Sequence, residues 1–141
     1  MKILNFYNMK KIWLILFIIW TLLIILLSVM PYSKEVVSKN GSSFRWDYLE
    51  HFFAYFAFAN LYILWRIDRN FSIRKLELYL MFVVIISFSL LTEYIQLLVP
   101  GRIFNYIDVA YNFVGVLGSF LIVYVYLIRY YMRRKHSVIE I

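Results

Sequence analysis

The segment Ile12 to Met30 runs for 19 residues without a charge, and only Thr21 and Ser28 interrupt its apolar character. At about 1.5 Å per helical residue, a run of this length crosses a hydrocarbon layer of about 30 Å. It begins after Lys10 and Lys11 and leads into Met30-Pro31-Tyr32. It is longer than the apolar region of a secretion signal and lacks a small-residue cleavage motif, so it reads as an uncleaved membrane anchor. The rest of the chain agrees with this solvent. Of 141 residues, 64% are apolar and 21% aromatic while only 16% are charged, a balance foreign to soluble domains. The chain has no cysteine, which excludes disulfides and thiolate metal sites.

Three more apolar stretches follow, giving four helices at about 12–30, 46–65, 76–99 and 106–131. The second carries Asp47, Glu50 and His51 in its first turns, where the helix dipole favours the acids, and has Trp46 and Trp65 at its ends. The third holds Glu93 deep in the span and stops at Pro100-Gly101. The fourth closes on Arg133-Arg134-Lys135. The intervening segment 31–45, with Gly41, Ser42 and Ser43, reads as an exposed loop, and 66–75 as a basic connector. The expected architecture is all-α: a polytopic membrane helical bundle forming a single domain over residues 1–141.

Lysine and arginine fix the expected orientation. Lys2, Lys10, Lys11, Arg66, Arg69, Arg74, Lys75, Arg129, Arg133, Arg134 and Lys135 fall on one side, and Lys34, Lys39, Arg45 and Arg102 on the other, so 11 of the 15 cations share a face. By the positive-inside rule both termini are cytoplasmic. The net charge of +7 is therefore topological, and no nucleic-acid partner is expected, because the charges flank spans and form no stripe on a soluble helix.

The polar residues inside the spans gather at the opposite, outer face. Glu93 lies roughly 10 Å below Pro100, and His51 and Asn112 lie roughly 8 to 9 Å inside their helices. Asp47, His51 and Tyr55 step by four, Glu93 and Gln96 by three, and Asp108 and Asn112 by four, so each set keeps to one helix face. Such groups are costly against lipid and are expected to face inward, forming an outward-opening polar pocket. Gly115 and Ser119 continue the Asp108-Asn112 stripe and permit close helix approach, while Gly118 sits off it.

The ordered set Asp47, His51-Phe52, Tyr55, Thr92-Glu93-Tyr94-Ile95-Gln96, Pro100, Arg102, Asp108, Asn112, Gly115 and Gly118 resembles the VanZ-like family of small bacterial membrane proteins. The likeness covers about Trp46 to Phe120. The family often has lysine after the first aspartate, where this chain has Tyr48. The resemblance implies a helical bundle in the bacterial plasma membrane and, through the family's namesake, a link to resistance against the glycopeptide teicoplanin.

The candidate functional cluster is Asp47, His51, Tyr55, Glu93, Gln96, Arg102, Asp108 and Asn112. His51 is a proton acceptor, a metal ligand or a hydrogen-bond partner; His51, Glu93 and Asp108 make a set of ligand types, but the only other histidine, His136, is at the far tail and no ligand spacing is recognisable, so no metal and no cofactor is expected. Glu93 and Asp108 are either an acid–base pair or ion-pair partners of Arg102 and His51. Arg102 is either an anion clamp at the pocket mouth or a solvated charge. The tryptophans Trp13, Trp20, Trp46 and Trp65, with Tyr124, Tyr126, Tyr130 and Tyr131, are read as membrane anchors.

Two function classes follow. The chain is a non-enzymatic factor whose pocket binds an anionic lipid or cell-wall precursor head group, or it is an intramembrane enzyme with Glu93 or Asp108 as base and His51 as proton shuttle. The absence of a compelling nucleophile favours the first. A proton-coupled exporter would need an acid in the first span, which has none.

Overall fold

The structure is a computed structural model that describes residues 2–31, 46–67 and 73–139, with side chains described for 7–31, 46–67 and 73–126. Four helices make up the described chain: α1 (Lys2–Val29), α2 (Asp47–Arg66), α3 (Lys75–Gln96) and α4 (Tyr106–Ile139), and no strand occurs among the described residues. The expected outer loop with Lys34, Lys39 and Arg45 lies outside the described residues, as do Arg69 and the side chains of Arg129, Tyr130, Tyr131, Arg133, Arg134, Lys135 and His136.

Three stretches, Tyr7–Val29, Lys75–Gln96 and Tyr106–Tyr126, are long and apolar enough to cross a membrane. Helix α2 is not among them, since it carries Asp47, Glu50, His51, Asn60 and Arg66 within its length. The bundle is inside-out relative to a soluble protein. Ile12, Ile15, Ile19, Leu22 and Leu26 of α1 and Leu80, Val84 and Leu91 of α3 are exposed, whereas Glu93, Asn112, Ser89 and Thr92 are buried. Apolar side chains on the outside cost nothing if the surroundings are apolar, while a polar group there loses its hydrogen bonds.

Helix α1 begins ten residues ahead of Ile12, because nothing in Lys2 to Lys11 breaks a helix. Helix α3 stops at Gln96, three residues before the Val99 expected from its apolar run. Leu97, Leu98 and Val99 instead donate to Tyr94, Ile95 and Gln96 carbonyls in tightened turns at 3.0–3.1 Å. Pro100 disfavours helical geometry at Val99, and Gly101, at φ 83°, reverses the chain in a turn closed by Arg102 N–H to the Val99 carbonyl at 3.1 Å.

The helices alternate in direction. Phe17 and Trp20 of α1 meet Trp65 and Ala54 of α2, and Tyr55 and Arg66 of α2 meet Thr92 and Glu77 of α3, so each of these pairs is antiparallel. Helices α2 and α4 run parallel and share the most extensive interface. A Cβ at Gly115 would lie 2.3 Å from the Phe52 carbonyl oxygen, so the two backbones touch there. Gly118 instead faces the Phe56 ring at 3.5 Å. A core of Ile24, Tyr55, Phe58, Ala59, Ile63, Met81, Ile85 and Val116 fills the centre. At the end opposite the polar cluster, Arg66 donates to Glu77 and ties α2 to α3.

Trp20 departs from the anchoring role expected of it. It is half-buried, and its Nε1 donates to the Ala54 carbonyl at 2.9 Å, joining α1 to α2. Trp65 is likewise packed, between Phe17 and Tyr62.

Replacing Gly115 by alanine is expected to destabilise the bundle by about 1–3 kcal/mol through overpacking against backbone. Gly118→Ala, in ordinary contact with a ring, is expected to be near neutral. Unfolding titrations in mild detergent compare the two.

Candidate functional site

The face of α3 that points into the bundle is written in its sequence as Ser89, Thr92, Glu93 and Gln96, spaced as successive positions of one helical stripe. All four are buried, Glu93 completely. Helix α2 supplies Asp47, His51 and Tyr55, and α4 supplies Asp108 and Asn112. Because α2 and α4 are parallel and locked at Gly115, their first turns lie level with the last turns of α3, and the three sets meet at one end.

His51 is the meeting point, and its side chain is 20% exposed. Its Nδ1 lies 3.1 Å from Asn112 Oδ1 and 3.8 Å from Glu93 Oε1, and its Nε2 lies 3.6 Å from Asp108 Oδ2. Asn112 Nδ2 donates to Ser89 Oγ at 2.9 Å, which turns Asn112 Oδ1 toward His51 as an acceptor. Nδ1 is therefore the donor to Asn112, and Nε2 faces the Asp108 carboxyl group. Asn112 is fully buried, so its amide has no water to fall back on.

Glu93 Oε1 accepts from Gln96 Nε2 at 3.1 Å, and its Oε2 is buried with no hydrogen-bond partner. Asp108 sits in the first turn of α4, and Asn105 precedes that turn as its cap. Asn105 Oδ1 accepts from Ile107 N–H at 3.0 Å, while Asn105 Nδ2 donates to Asp108 Oδ1 at 2.9 Å. Tyr55 donates to Thr92 Oγ1 at 2.6 Å, since the Thr92 hydroxyl is itself given to the Ser89 carbonyl at 2.8 Å.

Arg102 takes a position between the two expected for it. One terminal nitrogen donates to Gln96 Oε1 at 2.9 Å, and the other to the carbonyls of Leu27 and Met30 at 3.3 and 3.1 Å. It thus caps the C-terminal end of α1, where orphan carbonyls and the dipole favour a cation.

Above the cluster opens a cavity of about 450 Å³. One wall is polar, with Asp47, Glu50, His51, Gln96, Asn105 and Asp108, and the α1 wall is largely apolar, with Ile24, Leu27 and Met30. Ser28, also on that wall, gives its hydroxyl to the Ile24 carbonyl at 2.8 Å.

The structure brings all eight sequence-derived residues to one end of the bundle, Asp47 through the cavity lining and the others through the contacts above. Ser89, Thr92, Asn105 and Glu50 were missed. The first two continue the Glu93-Gln96 stripe one turn earlier, and Asn105 with Asp108 has cap spacing, so both signals were present in the sequence. Tyr48 stacks on Tyr111 with ring centres 5.0 Å apart. No family model, curated protein or solved structure matches the chain.

Asn112→Leu strips partners from His51 Nδ1 and Ser89 and is expected to cost about 1–3 kcal/mol, more than Tyr55→Phe at about 1 kcal/mol. Detergent unfolding of each variant checks the order.

Proposed function

We propose that the chain is a VanZ-like integral protein of the bacterial plasma membrane that crosses four times, with both termini cytoplasmic and the cavity facing outward. Helix α2 completes the four. Its 20 residues reach about 30 Å, enough for the hydrocarbon layer; His51, Tyr55 and Arg66 bond side chains of other helices, and Asn60 bonds the Phe56 carbonyl of its own. In this reading the cavity binds the head group of an anionic lipid or cell-wall precursor, and occupancy changes glycopeptide susceptibility.

The observation that carries the reading is the pairing of a polar wall with an apolar one in a single cavity at the end of an apolar-surfaced bundle. An amphiphile satisfies both walls at once, its head toward Asp47, Gln96 and Asn105 and its chain along Ile24 and Leu27. The carboxylates select what the head group carries. Hydroxyls and amines pair with them directly, whereas a phosphate needs a counter-cation beside Asp47, Glu50 and Asp108.

A second reading, an intramembrane enzyme acting on the same lipid class, has its own observation. His51 stands between two carboxyl groups, Glu93 at 3.8 Å and Asp108 at 3.6 Å, an order of groups that a proton relay uses once they close to hydrogen-bond distance.

Expression in a teicoplanin-sensitive Gram-positive host tests the envelope role. The wild type is expected to raise the inhibitory concentration at least fourfold, and equally abundant Glu93→Gln and His51→Ala variants to return it to background. Unchanged susceptibility with abundant wild type would overturn the glycopeptide link. Orientation is checked separately: single cysteines at positions 47 and 102 are expected to react with an impermeant thiol reagent added to intact cells, and one at 74 only after lysis.

A further inference from the structure

We propose that His51, Glu93 and Asp108 bind one divalent transition-metal cation of the zinc class. One donor atom from each of these residues lies within 4.8 Å of the other two, and the residues come from three different helices. Ligands drawn from three segments carry no recognisable spacing, which is why the sequence alone favoured no metal.

Three observations build the site beyond the cluster itself. The first is the orphan oxygen: Glu93 is completely buried, yet its Oε2 has no hydrogen-bond partner. A buried carboxylate oxygen left bare is unfavourable, and a cation in the cluster satisfies it. The second is the way each ligand is held. Asn112 takes the His51 Nδ1 proton, Gln96 donates to Glu93 Oε1, and Asn105 donates to Asp108 Oδ1. Each ligand is thus held by a neutral carboxamide, with His51 Nε2 and one oxygen of each carboxylate as the donor set. Outer partners of this kind fix the tautomer and direction of metal ligands. The third is charge and distance. Two carboxylates and a neutral imidazole balance a doubly charged ion, where the carboxylates alone repel. Nε2 and Oδ2 stand 3.6 Å apart, close to the roughly 3.3 Å that tetrahedral zinc imposes on ligands bound at about 2.0–2.1 Å.

The imidazole selects the metal class. Magnesium and calcium prefer all-oxygen shells, whereas one nitrogen and two carboxylates suit zinc, with manganese and iron weaker by the usual affinity order. Three protein ligands leave a fourth position open to water or to an occupant of the cavity. The inference stands on the triad and does not rest on the head-group reading.

The full-length protein, purified in detergent and stripped with chelator, is incubated with zinc chloride alone, desalted and assayed for metal. The expected result is one zinc per chain with a raised thermal midpoint. Glu93→Gln and Asp108→Asn are each expected to weaken binding at least 100-fold, while His136→Gln, which removes the only other histidine, retains it. Asn112→Ala touches no donor atom of the set and is expected to weaken zinc about 10- to 100-fold while keeping one site. Cobalt substitution in the wild type, read by its visible absorption, reports tetrahedral nitrogen and oxygen coordination even where a variant fails to fold. Wild type without zinc at micromolar concentrations, or zinc bound equally well by Glu93→Gln and Asp108→Asn, would overturn the proposal.

Discussion

Backbone contact between α2 and α4 at Gly115 sets the rest of the molecule in place. With no side chain at that position, the Phe52 carbonyl comes against the α4 backbone, and the two helices are fixed in parallel register. One turn toward the cavity from this contact, His51 meets Asn112, and a further turn brings Asp108 to the other side of the imidazole. A residue with bulk at Gly115 would part the helices at the level where the hydrogen bonds are made. Polar side chains are short, and their bonds tolerate only a few tenths of an ångström, so the chemistry at the cavity end depends on a glycine that takes no part in it.

The apolar exterior explains why the polar interior is so densely hydrogen-bonded between helices. In a water-soluble bundle a buried amide such as Asn112 competes with hydrophobic alternatives and usually loses. Here the helices have little to gain from hiding leucine and isoleucine from one another, so directional bonds and close packing carry the specificity. The Tyr55–Thr92–Ser89 and His51–Asn112–Ser89 chains converge on one turn of α3, which makes Ser89 the common foot of two networks: its carbonyl serves one and its hydroxyl the other.

Much of the site was legible because helical phase and depth are arithmetic. Spacing by three and four placed His51, Glu93, Gln96, Asp108 and Asn112 on inward faces, and counting residues from Pro100 and from the starts of the second and fourth helices placed Glu93, His51 and Asn112 at a similar depth. What counting does not supply is rotation between helices. Thr92 is about 100° round the helix from Glu93, yet the stripe is wide enough for both to be buried, with Thr92 facing α2. Trp20 looked like an anchor because its neighbours are lipid-like, but its indole N–H needed an acceptor and found the Ala54 carbonyl. Arg102 carried the least information in sequence, since a lone loop cation has many uses and only the approach of α1 reveals its acceptors. The close of α3 at Gln96 was hidden for another reason: Leu97, Leu98 and Val99 are as apolar as the helix they follow, and the turn that ends it is dictated from beyond, by Pro100 and Gly101.

Arg102 also gives the bundle a mechanical property. Its guanidinium holds the last carbonyls of α1 with one nitrogen and the Gln96 side chain with another, and Gln96 in turn holds Glu93. Among the three apolar spans α1 is the most outward-facing in its described side chains, and thus the one whose tilt responds most directly to the thickness of what surrounds it. Any pivot of α1 must stretch the bonds at Leu27 and Met30 or drag the arginine with them. The buried carboxylate therefore sits at the short arm of a lever whose long arm lies on the outside of the protein.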